Sequence, residues 1–368
     1  MTAKSAKFYI PSLDGIRTVA FLIVFLSHLG ISGVPGGFGV TVFFFLSGYL
    51  ITTLLRREYE RSDKIDFKKF YMRRVLRIWP PFYIVLFFAI GAAWLGGFYA
   101  NAMADKAEQF QAILSQVFHY SNYFNLQFSN RSMAWGTEVY WSLAVEEHFY
   151  LLFPLLYVFL RRTGMGSSKQ AIVFWGICLA VLLWRCFLAV QLREMGADAE
   201  QIYDRTFFAT DTRVDSILFG CALAVAGNPA LEQDRQVSEN NLKYIYLPVG
   251  FVLLLSSVFI RMDEFRSTLR YTIQGIALYP FFIAAIRYPN WLIFQPLNWS
   301  WVRFVGVLSY SLYLIHFTVI KLLLQANPKM DMIVLAILSL TVSLVLSYAV
   351  YRLAEVPAAR IKKRFSSH

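Results

Sequence analysis

Apolar positions in this chain gather into long runs; they do not alternate as in a strand or recur at three- and four-residue spacing as on a water-facing helix. Runs lie near residues 16–32, 38–55, 80–98, 141–160, 170–190, 212–227, 244–260, 271–286, 304–325 and 332–351. A helix crosses a bilayer with roughly 17–25 residues, and the sixth and eighth runs are the shortest by that measure. Helices are expected because a backbone in hydrocarbon must satisfy its polar groups within its own segment. The pattern predicts an all-α integral membrane protein: a bundle of about ten transmembrane helices forming a single membrane domain over residues 1–368. There is no convincing internal repeat, soluble domain or low-complexity linker.

Composition agrees. The chain is 57% hydrophobic and 16% charged, where a soluble globule has about 45–50% and about 25%. A net charge of +12 is compatible with a nucleic acid partner, but the placement of the basic residues argues otherwise. With both termini on the cytoplasmic side, the inner segments collect about 24 of the 35 Lys and Arg and the outer loops about 9. The densest cluster is Arg56, Arg57, Arg61, Lys64, Lys68, Lys69, Arg73, Arg74 and Arg77, and the tail adds Arg360, Lys362, Lys363 and Arg364. Such a bias suits anionic inner-leaflet lipid, and no nucleic acid partner is needed. The first run passes into Gly30-Ile31-Ser32-Gly33 without a cleavage site, so it reads as a retained signal anchor. Cys178, Cys186 and Cys221 all fall in apolar runs with no close spacing, which predicts packing residues, no disulfide framework and no metal site.

Three connections stand out. The outer stretch from Tyr99 to Tyr140 carries Tyr120, Tyr123, Phe124, Phe128 and Trp135, either an interfacial aromatic belt or a stacking surface for a sugar. Gln191 to Thr210 is polar and suits a lid, and Asn228 to Lys243 reads as a solvated loop.

Ionisable residues at membrane depth are costly and face a bundle interior or a wet cavity. In LDGIRTVAFLIVFLSHLG, Leu13 to Gly30, Arg17 and His28 share a helical face about 16 Å apart, with Asp14 about 21 Å from His28. This is a polar stripe along a passage and not a contacting triad. Asp14 also suits a helix start with Ser12 as N-cap, and Arg17 could reach lipid phosphate. His28 reads as a proton-transfer group or as a core histidine bonded to a carbonyl. In WSLAVEEHFYLLFP, Trp141 to Pro154, the residues Ser142, Glu146 and Tyr150 share an i, i+4 face. Glu146 is the favoured partner of His28, and Glu147 and His148 suit a polar helix contact. In YMRRVLRIWPP, Tyr71 to Pro81, the guanidiniums of Arg73, Arg74 and Arg77 make a candidate phosphate site at the cytoplasmic mouth. In GVLSYSLYLIHF, Ser309, Tyr313 and His316 occupy successive turns of one face, suited to acceptor binding, proton handling or a helix contact. Asp14, Tyr150, Tyr313 and His316 are the candidate substrate-binding residues. Lys321 suits a snorkelling role, and Arg213 with Asp215 suits a structural ion pair.

Several of these stretches together resemble the acyltransferase-3 family of multispanning membrane O-acyltransferases. They are LDGIR with His28, FFFLSGYLIT from Phe43 to Thr52, RRVLR from Arg73 to Arg77, WSLAVEEHFYLLFP, RVDSILFG, SYSLYLIH and Glu355-Val356-Pro357, in that order over nearly the whole chain. The resemblance implies about ten helices in a bacterial inner membrane. It also implies transfer of an acyl group, often acetyl, from acyl-CoA to a hydroxyl of a carbohydrate, lipid-linked sugar, oligosaccharide or macrolide. It makes His28 the essential histidine, Arg73, Arg74 and Arg77 the RRxxR motif, Arg17 the motif arginine and Glu146 the acidic position. Relatives often have an aromatic residue where this chain has Glu147. Many carry a C-terminal SGNH-type domain; with no room expected for one before His368, any second transfer step would be expected to need another protein.

The expected mechanism is direct. CoA phosphates rest on Arg73, Arg74, Arg77 and Arg17, and His28 as general base takes the acceptor proton, with Glu146 stabilising the imidazolium. Two readings compete: a covalent acyl-enzyme on His28 or Ser47, and a proton-coupled transporter or exporter of a sugar or acyl group.

Overall fold

The structure is a computed structural model that describes residues 9–96, 106–128, 133–134, 136–232, 237–362 and 365. Each apolar run became a helix. The long helices are α1 (Pro11–His28), α2 (Gly36–Ser62) and α3 (Phe67–Gly96), followed after two short helices, α4 (Lys106–Val117) and α5 (Ser121–Phe128), by α6 (Trp141–Arg162) and α7 (Ser167–Glu194). Then come the short α8 (Ala199–Phe208), α9 (Thr210–Val225), α10 (Glu239–Phe259), a short α11 (Asp263–Ser267), α12 (Leu269–Arg287), α13 (Ser300–Ala326) and α14 (Met332–Lys362). Eight of the described helices are long and apolar enough to cross a membrane, and α1 and α9 are not among them. No strand occurs among the described residues.

The apolar surplus faces outward. Phe87, Phe88, Trp94 and Leu95 on α3, Leu151, Leu155 and Phe159 on α6, and Leu179, Leu183 and Phe187 on α7 are all exposed. In water such faces would be aggregation patches; around a bilayer core they are lipid contacts. The chain is a multi-pass membrane protein.

At the centre α9 is buried on every side from Asp215 to Val225, as expected of a helix that is apolar all round. It approaches α2 through glycines. A Cβ on Gly48 would collide with the carbonyl of Ile217, and one on Gly220 with that of Phe45. Small residues here let two backbones meet, a device common in membrane helix packing. On the other side α1 lies between α2 and α13. It runs antiparallel to α2, with Gly36 against Ser27 and Gly39 against Val24, and parallel to α13, with Gly306 against the Asp14 carbonyl.

Several local expectations change. Ser12 is inside α1 and caps nothing, because the helix starts at Pro11 after an extended Ile10. α3 begins at Phe67, so Arg73, Arg74, Arg77 and Trp79-Pro80-Pro81 all lie within one continuous helix. The Gln191–Thr210 connection folds into α8, with an Asp198–Gln201 capping box. Asn228 is no solvated loop residue: it is buried, accepting from Tyr49 Oη at 2.8 Å and donating to Thr53 Oγ1 at 2.9 Å. In the outer connection Tyr120 and Tyr123 are exposed but Phe124 is buried, so these do not form one continuous belt. The Phe128 side chain, Tyr99, Trp135, Lys363 and Arg364 lie outside the described residues. The three cysteines are free.

Candidate active site

The polar residues assemble at two levels of the bundle. The deeper one joins α1, α2, α3, α6 and α13. Glu146 accepts from Ser47 Oγ at 2.9 Å on one carboxylate oxygen and from Tyr150 Oη at 2.8 Å on the other. The i, i+4 face of α6 thus forms as expected, but Glu146 does not partner His28. Around this carboxylate stand guanidiniums: Arg17 and Arg77 both act on it electrostatically, and Arg77 also on Arg74 and Glu355. Arg17 is ion-paired with Asp14, which accepts in turn from Tyr9 Oη at 2.7 Å.

The arginine trio divides. Arg73 turns to Glu58 at 2.7 Å and to the Phe365 carbonyl at 3.0 Å. Arg74 keeps a buried Nε without a partner, and Arg77 is exposed with no hydrogen bond or ion pair among the described residues. Arg74 and Arg77 are therefore the two with donors to spare. Glu355 was not singled out from sequence as a site residue. It accepts from Ser311 Oγ at 2.6 Å within electrostatic reach of Arg77, and it lies in a π-helical turn, Tyr351–Glu355. Such turns are frequent at functional sites.

The second level is built by His28 at the end of α1 and His316 on α13. His28 Nδ1 is 2.8 Å from His316 Nε2, and the His28 ring stacks on Phe317 at 4.3 Å. The tautomers follow from the partners. His316 Nδ1 lies 3.0 Å and 2.9 Å from the carbonyls of Leu312 and Tyr313, and carbonyls only accept, so Nδ1 carries the hydrogen. A neutral His316 then presents a lone pair at Nε2, which accepts from His28 Nδ1–H. That leaves His28 Nε2 as a bare lone pair. His316, fully buried, thus fixes the tautomer of a partly buried His28. This is the orienting role that sequence reasoning gave to Glu146.

Other candidates are tied up. Tyr313 Oη donates to the Val139 carbonyl at 3.0 Å and lies 2.7 Å from Ser142 Oγ, so it locks α6 to α13 and has no free hydroxyl for substrate. Lys321 does not snorkel; it pairs with Glu138 and lies 4.7 Å over the Phe317 ring. Asp215 pairs with Arg185 at 2.8 Å and not with Arg213. His148 bonds Thr210 Oγ1 at 2.7 Å, the polar helix contact expected.

The two levels are separated along α2. Gly36 packs beside Ser27, next to His28, and Ser47 touches Glu146 eleven residues further on, a rise of about 16 Å. No group of His, Cys, Asp and Glu suited to a metal occurs among the described residues.

A multi-pass bundle with a buried imidazole pair and a guanidinium-lined second level is the kind of arrangement that membrane group-transfer proteins and transporters use. The chain belongs to the acyltransferase-3 family, whose acyltransferase domain model matches residues 10–352. It is 34% identical over 325 residues to a provisionally named O-acetyltransferase of Staphylococcus aureus strain COL, covering 85% of this chain and 51% of that protein. It is 30% identical over 358 residues to the provisionally named peptidoglycan O-acetyltransferase YrhL of Bacillus subtilis strain 168, covering 92% and 54%. Identity to the O-acetyltransferase OatA of S. aureus strain NCTC 8325 is 32% over 322 residues, covering 85% and 51%. The chain spans about half the length of the curated relatives it matches. No solved structure gives a significant match.

Proposed function

We propose that this protein is an O-acetyltransferase of a bacterial inner membrane, moving an acyl group, acetyl in the simplest case, from acyl-CoA to a carbohydrate hydroxyl. The observation that carries the reading is the His316–His28 hydrogen bond, which leaves a bare Nε2 about one pantetheine length from unpaired guanidiniums. Ten crossings, α1 and α9 included, with both termini cytoplasmic, put the arginine level towards the cytoplasm and His28 towards the outside. Residues 11–362 then act as one membrane acyltransferase unit without a metal.

In this reading Arg74, Arg77 and Arg17 hold the CoA phosphates, and Arg73 ties the base of α3 to α2. The pantetheine arm passes Glu146, Ser47 and Tyr150. Acceptor hydroxyl oxygen attacks the thioester carbonyl as His28 Nε2 takes its proton. The imidazolium is held by its Nδ1–H bond to His316, then returns the proton to the departing CoA sulfur, giving the ester and free CoA. Base catalysis contributes roughly 10²–10⁴-fold, and alignment of both substrates supplies much of the rest. Names of the relatives favour a peptidoglycan-type glycan as acceptor.

The test uses protein in nanodiscs with labelled acetyl-CoA and chitotetraose, following free CoA and esterified sugar. Wild type is expected to yield both in equal amounts, and His28→Ala neither. Label retained on the protein without acceptor would favour the acyl-enzyme on Ser47. Sugar flux without CoA release would favour the transporter, and full activity in His28→Ala would remove the base.

A further inference from the structure

Arg213 has no part in the chemistry above, and its setting is unusual. It lies in the first turn of α9 and is fully buried. Asp215, equally buried, is engaged by Arg185 at 2.8 Å and by the Ser216 amide at 2.8 Å. One carboxylate therefore serves two guanidiniums, and this cluster keeps one uncompensated positive charge among the described residues. Arg213 makes a single hydrogen bond, from Nη2 to Thr41 Oγ1 at 3.1 Å. Its Nε and Nη1 are buried without partners, and so is the hydroxyl of adjacent Tyr271.

Aromatic rings cover the guanidinium. Its central carbon is 3.8 Å from the Tyr271 ring centre, 5.3 Å from Phe207 and 5.6 Å from Phe44. Cation–π contact compensates a cation through ring faces, but the guanidinium N–H groups lie in its own plane and need acceptors there. A charge buried without an ionic partner is among the most costly features a membrane interior can hold.

We propose that Arg213 and the Tyr271 hydroxyl form a binding site for one carboxylate-type monoanion, closed over by Phe207 of α8. A single negative charge balances the cluster, whereas a dianionic phosphate would reverse it. Tyr271 and Phe44 belong to long, packed helices. Phe207 comes from a short helix joined to α9 through Ala209 alone, so in this proposal it is the wall that opens. Its ring also lies against Gly37, next to the Gly36 that packs on Ser27 beside His28. On the acyltransfer reading, an acceptor held here by its carboxylate would lie near the α1–α2 contact beside His28.

The anion is either a free carboxylate or one borne by a saccharide; only the second source rests on the acyltransfer reading. The test is thermal unfolding of the full chain in nanodiscs as sodium methanesulfonate is replaced by sodium acetate at constant ionic strength. Ligand that binds only the folded state raises the unfolding temperature in proportion to the logarithm of its excess. Wild type is expected to gain a few degrees, Arg213→Gln nothing and Tyr271→Phe less than wild type. Arg213→Gln removes an unpaired charge, so folding is retained; if it were not, Tyr271→Phe alone carries the comparison. N-acetylmuramic acid acting at lower concentration than acetate, with N-acetylglucosamine inert, assigns the saccharide source; equal action of the two carboxylates assigns the free ion. An absent gain in wild type, or the same gain in both variants, overturns the site.

Discussion

In the proposed mechanism His316 acts through His28, and His316→Phe tests it. The ring nitrogen lost is the acceptor 2.8 Å from His28 Nδ1. While His28 is neutral that bond is ordinary. Once Nε2 has taken a proton it becomes a charge-assisted bond, worth about 1.5–3 kcal/mol. At about 1.36 kcal/mol per tenfold in rate, its loss predicts a fall in kcat of roughly 10- to 150-fold. The KM for acetyl-CoA should not move, because the arginine level lies about 16 Å away along α2. Phenylalanine fits between Phe21, Phe25 and Phe317, which already surround the site. The carbonyls of Leu312 and Tyr313 lose a second donor only, so the fold should survive. Glutamine at 316 can offer an amide oxygen near the position of Nε2 and should restore part of the rate. In the double variant with His28→Ala, the second change should add almost nothing, since a positioning residue has no effect once its target is gone. The assay is CoA release with chitotetraose, run beside equilibrium CoA binding. Wild-type kcat in His316→Phe, or independent, multiplying losses in the double variant, would refute the dyad.

Other consequences are separable by readout. Arg77→Ala should raise the KM for acetyl-CoA by roughly 10- to 150-fold, the loss of one charge-assisted bond, while Arg73→Ala, whose partner is Glu58, should lower the unfolding temperature and leave KM unchanged; the reverse pattern in steady-state kinetics would exchange their roles. Gly220→Leu drives a side chain into the Phe45 carbonyl and should abolish recovery of monodisperse protein by size-exclusion chromatography, whereas Gly91→Leu, with open space around it, should not. Asp66 accepts from the Lys69 amide at 3.0 Å at the start of α3, and that amide holds its carboxyl below the usual range. A depressed carboxylate contributes stability above its ordinary value near pH 3.9 and loses it as pH falls through the lower, folded value. Asp66→Ala should therefore cost roughly 0.5–1 kcal/mol at neutral pH and flatten the unfolding temperature against pH at the acid end; an unchanged profile would count against the cap.

Much of this was legible in the sequence, for a reason that also marks its limit. Hydrocarbon imposes long apolar runs on any segment that crosses it, so every long helix appeared as a run. α3 started 13 residues before its run, at Phe67 and not near 80, because the basic turn ahead of Pro80-Pro81 looked like a mouth, whereas proline is tolerated within a supported membrane helix. Helical spacing put Glu146 with Tyr150 and Tyr313 with His316. It could not set depth. α6 is preceded by a 3-10 turn, Thr137–Tyr140, so Glu138 is the carboxylate that meets Lys321. Glu146 lies eight residues, or about 12 Å, deeper and faces Ser47. The pairing of His28 with His316 spans 288 positions, and no local signal encodes it.

What sets that pairing is the packing of α1 itself. The helix is only 18 residues long and carries Asp14, Arg17 and His28, too polar to lie in lipid, and it is not among the eight helices suited to cross alone. It is held inside the bundle because Gly15 and Gly306 let it close on Leu297 and on α13 without a side chain between the backbones. Thr18 Oγ1 donates to the Val302 carbonyl at 2.6 Å and fixes the register. With that register and parallel direction, two histidines ten or more residues further along each helix must arrive at the same level. The same contact puts Arg17 at the other end, beside Glu146 and Arg77. In the proposed mechanism one helix therefore sets the distance between the guanidiniums and the imidazole. A change at Gly15 or Gly306 should alter catalysis by shifting that spacing even where the protein still folds.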